Sequence, residues 1–274
     1  MGIEDAAVIG LRVVRLEASL MLSGWEPTRP VKGYLADALA SYFDGGRPTE
    51  LEAVLNAYQS GAWTEDPRAA ALVARARRGE IQKYAQICGS WSGVIGPDDV
   101  VVLGQVAGDM AWLASPSAVD GNVEMVAAAA HEYPGRRVVY KPHPFNGANE
   151  AELAAIAREM PQVVTAPGAA SLALLCAARP TVVVCTSNAG LEAALRGCKV
   201  VTYGLGYYAG WGFTEDRMSC ARRRNTLTAE DVFAATQHLY ARFFGSATLR
   251  TVDQLEAVER LSAWRDAARR QGMP

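Results

Sequence analysis

Lys141-Pro142-His143-Pro144 carries a cation and a titratable imidazole, held rigid by two prolines, residue types that suit chemistry. A lysine there can neutralise a phosphate as a point charge. His143 can donate a hydrogen bond to a phosphate oxygen or act as a general acid. Taken alone, the tetrapeptide reads equally as a stiff surface loop. Asp109 ends the run Gly104-Gln105-Val106-Ala107-Gly108-Asp109, with Gln105 four residues before it. Such an acid is solvated surface or, aimed into a crevice, a nucleophile or base. Thr186-Ser187 opens a predicted helix that carries Gly190 and Glu192. Ser187 is a natural N-cap, and the free N–H groups of a helix start can hold a phosphate. Glu192, one turn in, could bond a ribose or simply favour the helix N-terminus. In the glycine-rich stretch 203–212, Tyr207, Tyr208 and Trp211 offer flat rings for a base or a sugar, with core packing as the plain alternative for each.

These stretches share a place in the predicted fold. Short β-branched runs at 100–103, 137–140, 163–165, 181–184 and 199–202 alternate with alanine-rich segments at 121–131, 149–160, 168–178 and 188–196 whose apolar residues recur at helical spacing. That rhythm predicts βαβ units and a parallel sheet. The strands are apolar almost throughout, as when helices cover both faces. In open α/β sheets ligands bind beyond the carboxyl ends of the strands, which is where all four polar stretches fall. Two further helices are predicted at 228–243 and 252–269. Upstream, 12–16 reads as a strand and 49–59 and 68–78 as helices, with turns at 45–48 and 96–99. The boundary is placed there: 1–96 as an N-terminal domain, 97–274 as a parallel α/β domain with C-terminal helices.

Composition narrows the function classes. The 274 residues are half apolar and 20% charged, with a net charge of −2, which argues against a disordered chain and against a basic nucleic-acid binder. No apolar run is long enough to cross a bilayer, and the first ten residues lack the pattern of a signal peptide. The five cysteines, Cys88, Cys176, Cys185, Cys198 and Cys220, form no CxxC, which predicts a reducing cytoplasm rather than disulfides or zinc. No Asp-x-Asp, P-loop, HExxH or GxSxG occurs, so neither metal-dependent catalysis nor a serine hydrolase has support. The run Gly204-x-Gly206-x-x-x-Gly210 lacks the helix and acid-ended strand of a dinucleotide site.

Together and in order, the four strand-end motifs resemble the capsule polysaccharide synthesis proteins, the β-Kdo glycosyltransferases of the KpsC/LipB type. That family reads Gly-Gln-Val-x-x-Asp, Lys-Pro-His-Pro, Thr-Ser-x-x-Gly-Phe-Glu-Ala, then Tyr-Gly-x-Pro-Phe-Tyr-Ala-Gly-Trp-Gly-x-Thr-x-Asp. Here 104–109 and 141–144 are intact, Leu191 replaces the Phe, and Gly206 and Tyr207 replace the Pro and Phe. The resemblance covers about 97–245. Upstream, only Glu17 remains of a Glu-Asp-Gly motif, and Lys83-Tyr84-Ala85 stands where the family has Lys-Tyr-Asn. Sixteen residues precede Glu17, fewer than in the family, so a shortened N-terminal domain is expected.

The resemblance implies an α/β, GT-B-like architecture with a parallel Rossmann-like C-terminal domain. It implies a metal-independent transferase, with no cofactor, that moves Kdo or a related sugar from a CMP-activated donor to a glycolipid or polysaccharide acceptor with retention. Asp109 matches the nucleophile, and Glu17 the acid/base. Lys141 and His143 match residues at the CMP phosphate, with His143 also catalytic. Gln105, Thr186, Ser187, Gly190, Glu192, Tyr208 and Trp211 match the nucleotide-sugar side. A cytoplasmic location follows, with peripheral contact to the inner membrane or to capsule assembly proteins through the acceptor. The alternative is a catalytically impaired donor-binding or assembly subunit of a polysaccharide synthesis or export system.

Overall fold

The computed structural model describes residues 13–19, 29–83, 89–145 and 150–270. The predicted strand start at Arg12, the helix start at Asn149, the Tyr84-Ala85 part of the upstream motif and Cys88 lie outside them.

In chain order, β1 (Arg15–Ala18) and β2 (Val31–Asp37) lead to α1 (Glu50–Ala57), a 3₁₀ turn (Ala62–Thr64) and α2 (Pro67–Arg77). An alternating series follows: β3 (Val100–Leu103), α3 (Met110–Leu113), α4 (Asn122–Glu132), β4 (Val138–Lys141), α5 (Glu150–Glu159), β5 (Val164–Thr165), α6 (Leu172–Leu175), β6 (Thr181–Val184), α7 (Ala189–Leu195), β7 (Lys199–Thr202) and β8 (Glu215–Asp216). The chain closes with α8 (Ala229–Ala234), a π-helical turn (Ala235–Tyr240), β9 (Arg242–Gly245), β10 (Thr251–Val252) and α9 (Gln254–Arg270).

Strands β3 to β8 form one parallel sheet in the order β5-β4-β3-β6-β7-β8. This is the doubly wound order, in which the winding reverses between the first strand and the fourth, here β3 and β6. Alternate residues supply two cores. Val101, Leu103, Val139, Val182, Val184 and Val200 face one side. Val100, Val102, Val138, Tyr140, Val183 and Val201 face the other. Strands β3, β4 and β6, buried at every position, have no solvent-facing side, whereas the edge strands β5 and β8 do.

The N-terminal part is not a second parallel layer. It is an antiparallel sheet, β1-β2-β9-β10, drawn from both ends of the chain. The predicted helix 228–243 is therefore corrected: it widens into the π turn and leaves through an extended Ala241 (φ −69°, ψ 149°) into β9. The predicted helix 168–178 shrinks to the single turn of α6, capped by the Ser171 hydroxyl. Asp37, at the end of β2, accepts from the N–H of Glu50 at 2.8 Å, which ties the antiparallel sheet to the start of α1. The core on one side of the parallel sheet continues through Leu51, Leu55 and Leu72 to Val31 and Leu35 of β2.

Candidate active site

The crevice at the β3/β6 reversal is bridged by side chains. Gln105, just past β3, donates from Nε2 to the Thr186 hydroxyl at 2.9 Å, and the Thr186 N–H donates to its Oε1 at 3.2 Å. The Gln105 backbone is held in turn by Asn122: its N–H donates to Oδ1 at 3.0 Å, and its carbonyl accepts from Nδ2 at 2.9 Å. Asn122 also donates to Glu152 at 2.8 Å, and Glu152 accepts from the Tyr140 hydroxyl. This buried chain of bonds fixes the loop that leads to Asp109. Gly104 lets that loop pass, because a Cβ there would lie 2.5 Å from the Tyr140 hydroxyl.

Over the crevice lies a cavity of about 630 Å³ lined by Glu17, Lys83, Gln105, Asp109, Lys141, His143, Thr186, Ser187, Glu192 and Tyr207, among others. Lys32 and Tyr34 of β2 and Leu16 of β1 form part of its wall. The antiparallel sheet therefore delivers Glu17 to the strand ends of the parallel one. Asp109 caps α3, its Oδ1 accepting from the Ala111 N–H at 2.8 Å.

The charges in the cavity perturb one another. Burial raises the Glu17 carboxyl; the ammonium of Lys83 opposes this and the carboxylate of Asp109 adds to it. Burial lowers Lys83, which Asp109, Glu192 and Glu17 partly offset. Burial alone pushes Lys141 down to about 8. His143 is pushed down to about 4, first by burial and then by the ammonium groups of Lys141 and Lys83. Its Nδ1 accepts from the Phe145 N–H at 3.2 Å. The ring is therefore neutral at physiological pH, and that bond assigns its proton to Nε2. In this state His143 is a hydrogen-bond donor rather than a cation.

Tyr208, Trp211 and Gly190 lie outside the cavity lining. Tyr208 is fully buried beneath the cavity and donates its hydroxyl to the Ser187 carbonyl at 2.6 Å. Trp211 is a core residue whose indole N–H donates to the Tyr207 carbonyl at 2.9 Å. Gly190 is a packing glycine, since a Cβ would lie 2.2 Å from the Tyr208 hydroxyl. Of the three aromatic rings expected to form a platform, Tyr207 alone lines the cavity. Glu192 reaches the cavity wall but accepts from the Lys83 N–H at 3.1 Å and faces Arg196 at 3.8 Å, so it anchors the Lys83 segment. Ser187 precedes the cap position, which Asn188 occupies, and its hydroxyl accepts from the Ala189 N–H at 3.3 Å. Asp216, at the end of the longest motif, accepts from Thr202, Thr214 and the Gly210 N–H and ties a loop rather than facing the cavity. Lys83 was visible in sequence only as part of the altered Lys-Tyr-Asn motif, and nothing in the pattern signalled Lys32.

The chain is similar to several known proteins. The chain is 30% identical over 220 residues to the lipopolysaccharide-processing protein LpsZ of Rhizobium meliloti, covering 76% of this chain and 48% of that protein. It is 29% identical over 242 residues to the capsule polysaccharide modification protein LipA of Neisseria meningitidis serogroup A, covering 84% and 33%. It thus spans about half of one relative and a third of the other. Among solved structures, Thermosulfurimonas dismutans KpsC, described as a β-Kdo 2,4 transferase, superposes with a TM-score of 0.77 at 26% identity, over 94% of this chain and 82% of that one. The β-Kdo 2,7 transferase of the same organism superposes at 0.74 with 24% identity, over 93% and 78%, which speaks to the fold. Residues 96–244 match the family described as capsule polysaccharide biosynthesis protein, a span that begins just before β3 and takes in all four strand-end motifs. More than half of the sequence carries that match on a fold shared with KpsC, and the chain belongs to the capsule polysaccharide biosynthesis protein family.

Proposed function

We propose that the chain is a glycosyltransferase of capsule or surface polysaccharide synthesis, moving Kdo or a related sugar acid from a CMP-activated donor with retention. The observation that carries this reading is the single cavity in which Asp109 and Glu17 meet Lys83, Lys141 and His143. In the first step a carboxylate oxygen of Asp109 attacks the anomeric carbon, and the bond from that carbon to the phosphate oxygen breaks. CMP leaves with the electron pair, met by the Lys141 ammonium and the His143 Nε2–H. In the second step the acceptor hydroxyl attacks the same carbon and frees Asp109, and its proton passes to Glu17. Two inversions give net retention. Burial makes Glu17 a stronger base than a solvated glutamate, as this step requires. With the Lys141 ammonium and the His143 Nε2–H to meet the phosphate and the Lys83 ammonium in the same cavity, the proposal needs no metal. The acceptor approaches from the antiparallel sheet, a polysaccharide or glycolipid in this reading, with the inner membrane surface as its source.

A second reading, a donor-binding or assembly subunit without transfer, has one observation in its favour. Ala18 lines the cavity where the resembling family has an aspartate. Calorimetric titration of CMP, with UMP and NAD as controls, tests the shared part: CMP should bind, and His143→Ala should weaken it. No binding by the folded chain would overturn the transferase and the donor-binding subunit alike and leave the assembly subunit. Binding of CMP without release of CMP from CMP-Kdo in the presence of acceptor would select the second.

A further inference from the structure

The cavity wall that carries Tyr207 is fixed from behind by one buried cation. The Arg223 side chain is 3% exposed. Its Nη1 donates to the carbonyls of Gly206 and Ala209, both at 2.6 Å. Its Nε donates to Glu52 at 3.3 Å, and its guanidinium lies 5.6 Å from the centre of the Trp211 ring. Glu52 belongs to α1 and is bonded as well by Arg222 at 2.7 Å. The two carbonyls bracket Tyr207, which lines the cavity, and Tyr208, whose hydroxyl holds the Ser187 carbonyl at 2.6 Å. Ser187 lines the same cavity. A planar guanidinium can hold two carbonyls, one carboxylate and a ring face at once, and a lysine ammonium cannot match that geometry.

We propose that Arg223 is a positioning residue for the nucleotide side of the cavity: it fixes the turn 206–209 and, through the Tyr208 hydroxyl, the backbone at Ser187. The inference rests on the CMP-binding reading for its ligand but not for its geometry. Arg223 touches no substrate in this account; its effect passes through Tyr207, Tyr208 and Ser187.

The test uses Arg223→Lys, Tyr208→Phe and the double variant, with CMP titration and hydrogen exchange at the amides of 186–190. If both changes break one connected path, each single variant weakens CMP about tenfold, equivalent to about 1.4 kcal/mol, and the double variant is little worse than either. Exchange at 186–190 accelerates in all three. Unaltered CMP affinity in Arg223→Lys, or losses that add to about a hundredfold in the double variant, would overturn the proposal. If the wild type does not bind CMP, the reading of function fails separately and exchange decides: unchanged rates at 186–190 in Arg223→Lys refute the positioning role, and faster rates sustain it. Should Arg223→Lys not fold, Glu52→Gln takes its place, since it loosens the guanidinium from its carboxylate side. It is expected to weaken CMP about threefold, and wild-type affinity with wild-type exchange would again refute the inference.

Discussion

Replacing Lys141 should separate stability from binding. Its ammonium is buried at the end of β4, and burial holds its pKa near 8 against an ordinary 10.5. That difference corresponds to about 3 kcal/mol of unfavourable burial of the charge at neutral pH. Its Nζ donates to the Pro142 carbonyl at 3.2 Å, a bond contributing about 1 kcal/mol. Lys141→Met removes both and keeps most of the apolar stem, so the ligand-free protein should gain about 1–2 kcal/mol, seen at roughly 2–4 °C per kcal/mol in a chain of this size. The same change removes the cation that meets the phosphate in the proposed reaction. A charge-assisted bond is worth about 1.5–3 kcal/mol, so CMP should bind roughly tenfold to a hundredfold more weakly. The pH dependence follows in sign. The folded pKa lies below the unfolded one, so between about 8 and 10.5 the unfolded chain holds more protons and stability rises with pH. The stability gap between variant and wild type should therefore close across that window. CMP affinity of the wild type should move the other way, falling above about pH 8 as the ammonium is lost, with proton uptake on binding near that pH. Scanning calorimetry and isothermal titration at neutral and alkaline pH measure both. A Lys141→Met protein that is less stable than wild type and binds CMP equally well would refute the reasoning.

Further expectations concern three other residues. His143 is held neutral down to about pH 4, so CMP affinity should show no inflection at the ordinary imidazole value; an inflection near pH 6.5 in a pH series of titrations would show that the ring binds as a cation. The same depressed value means that this ring's contribution to stability is fully present above about pH 6.5 and is lost as pH falls toward about 4, readable as the difference from His143→Ala in acid denaturation. Gly190→Ala places a Cβ 2.2 Å from the Tyr208 hydroxyl and 2.9 Å from Val184 and should cost about 1–3 kcal/mol in thermal unfolding; an unshifted transition would mean the α7 contact gives freely. Thr186→Val leaves the Gln105 amide without its hydroxyl acceptor and should cost about 1–3 kcal/mol in denaturant unfolding, whereas Thr186→Ser should lose little.

The parallel sheet was legible because its physics is local. Val100–Leu103, Thr181–Val184 and Lys199–Thr202 are short β-branched runs buried on both faces, and the structure begins and ends them where the sequence does. The antiparallel sheet was not. β2 reads VKGYLAD, whose lysine and glycine interrupt a strand pattern, and its partner β9 lies more than two hundred residues away in sequence. Pairing at that distance leaves no local trace. β9 itself, RFFG, follows a helical segment without a breaker, so its phenylalanines read as one more apolar helix face. At the site, Gln105, Asp109, Lys141, His143, Thr186 and Ser187 come from the segments that follow strands and line one cavity. Tyr208, Trp211 and Gly190 read as ligand residues in sequence because their packing makes equally specific demands: a buried ring, a buried indole and no Cβ. Lys83 and Glu17 reach the cavity through tertiary contact, which no spacing rule displays.

Mass spectrometry of the protein incubated with CMP-Kdo without acceptor tests the proposed chemistry most directly. The account predicts release of CMP and a covalent adduct of one sugar on the peptide containing Asp109, discharged when acceptor is added and absent from Asp109→Asn. An Asp109→Asn protein that transfers sugar at the wild-type rate, with no adduct on the wild type, would contradict it.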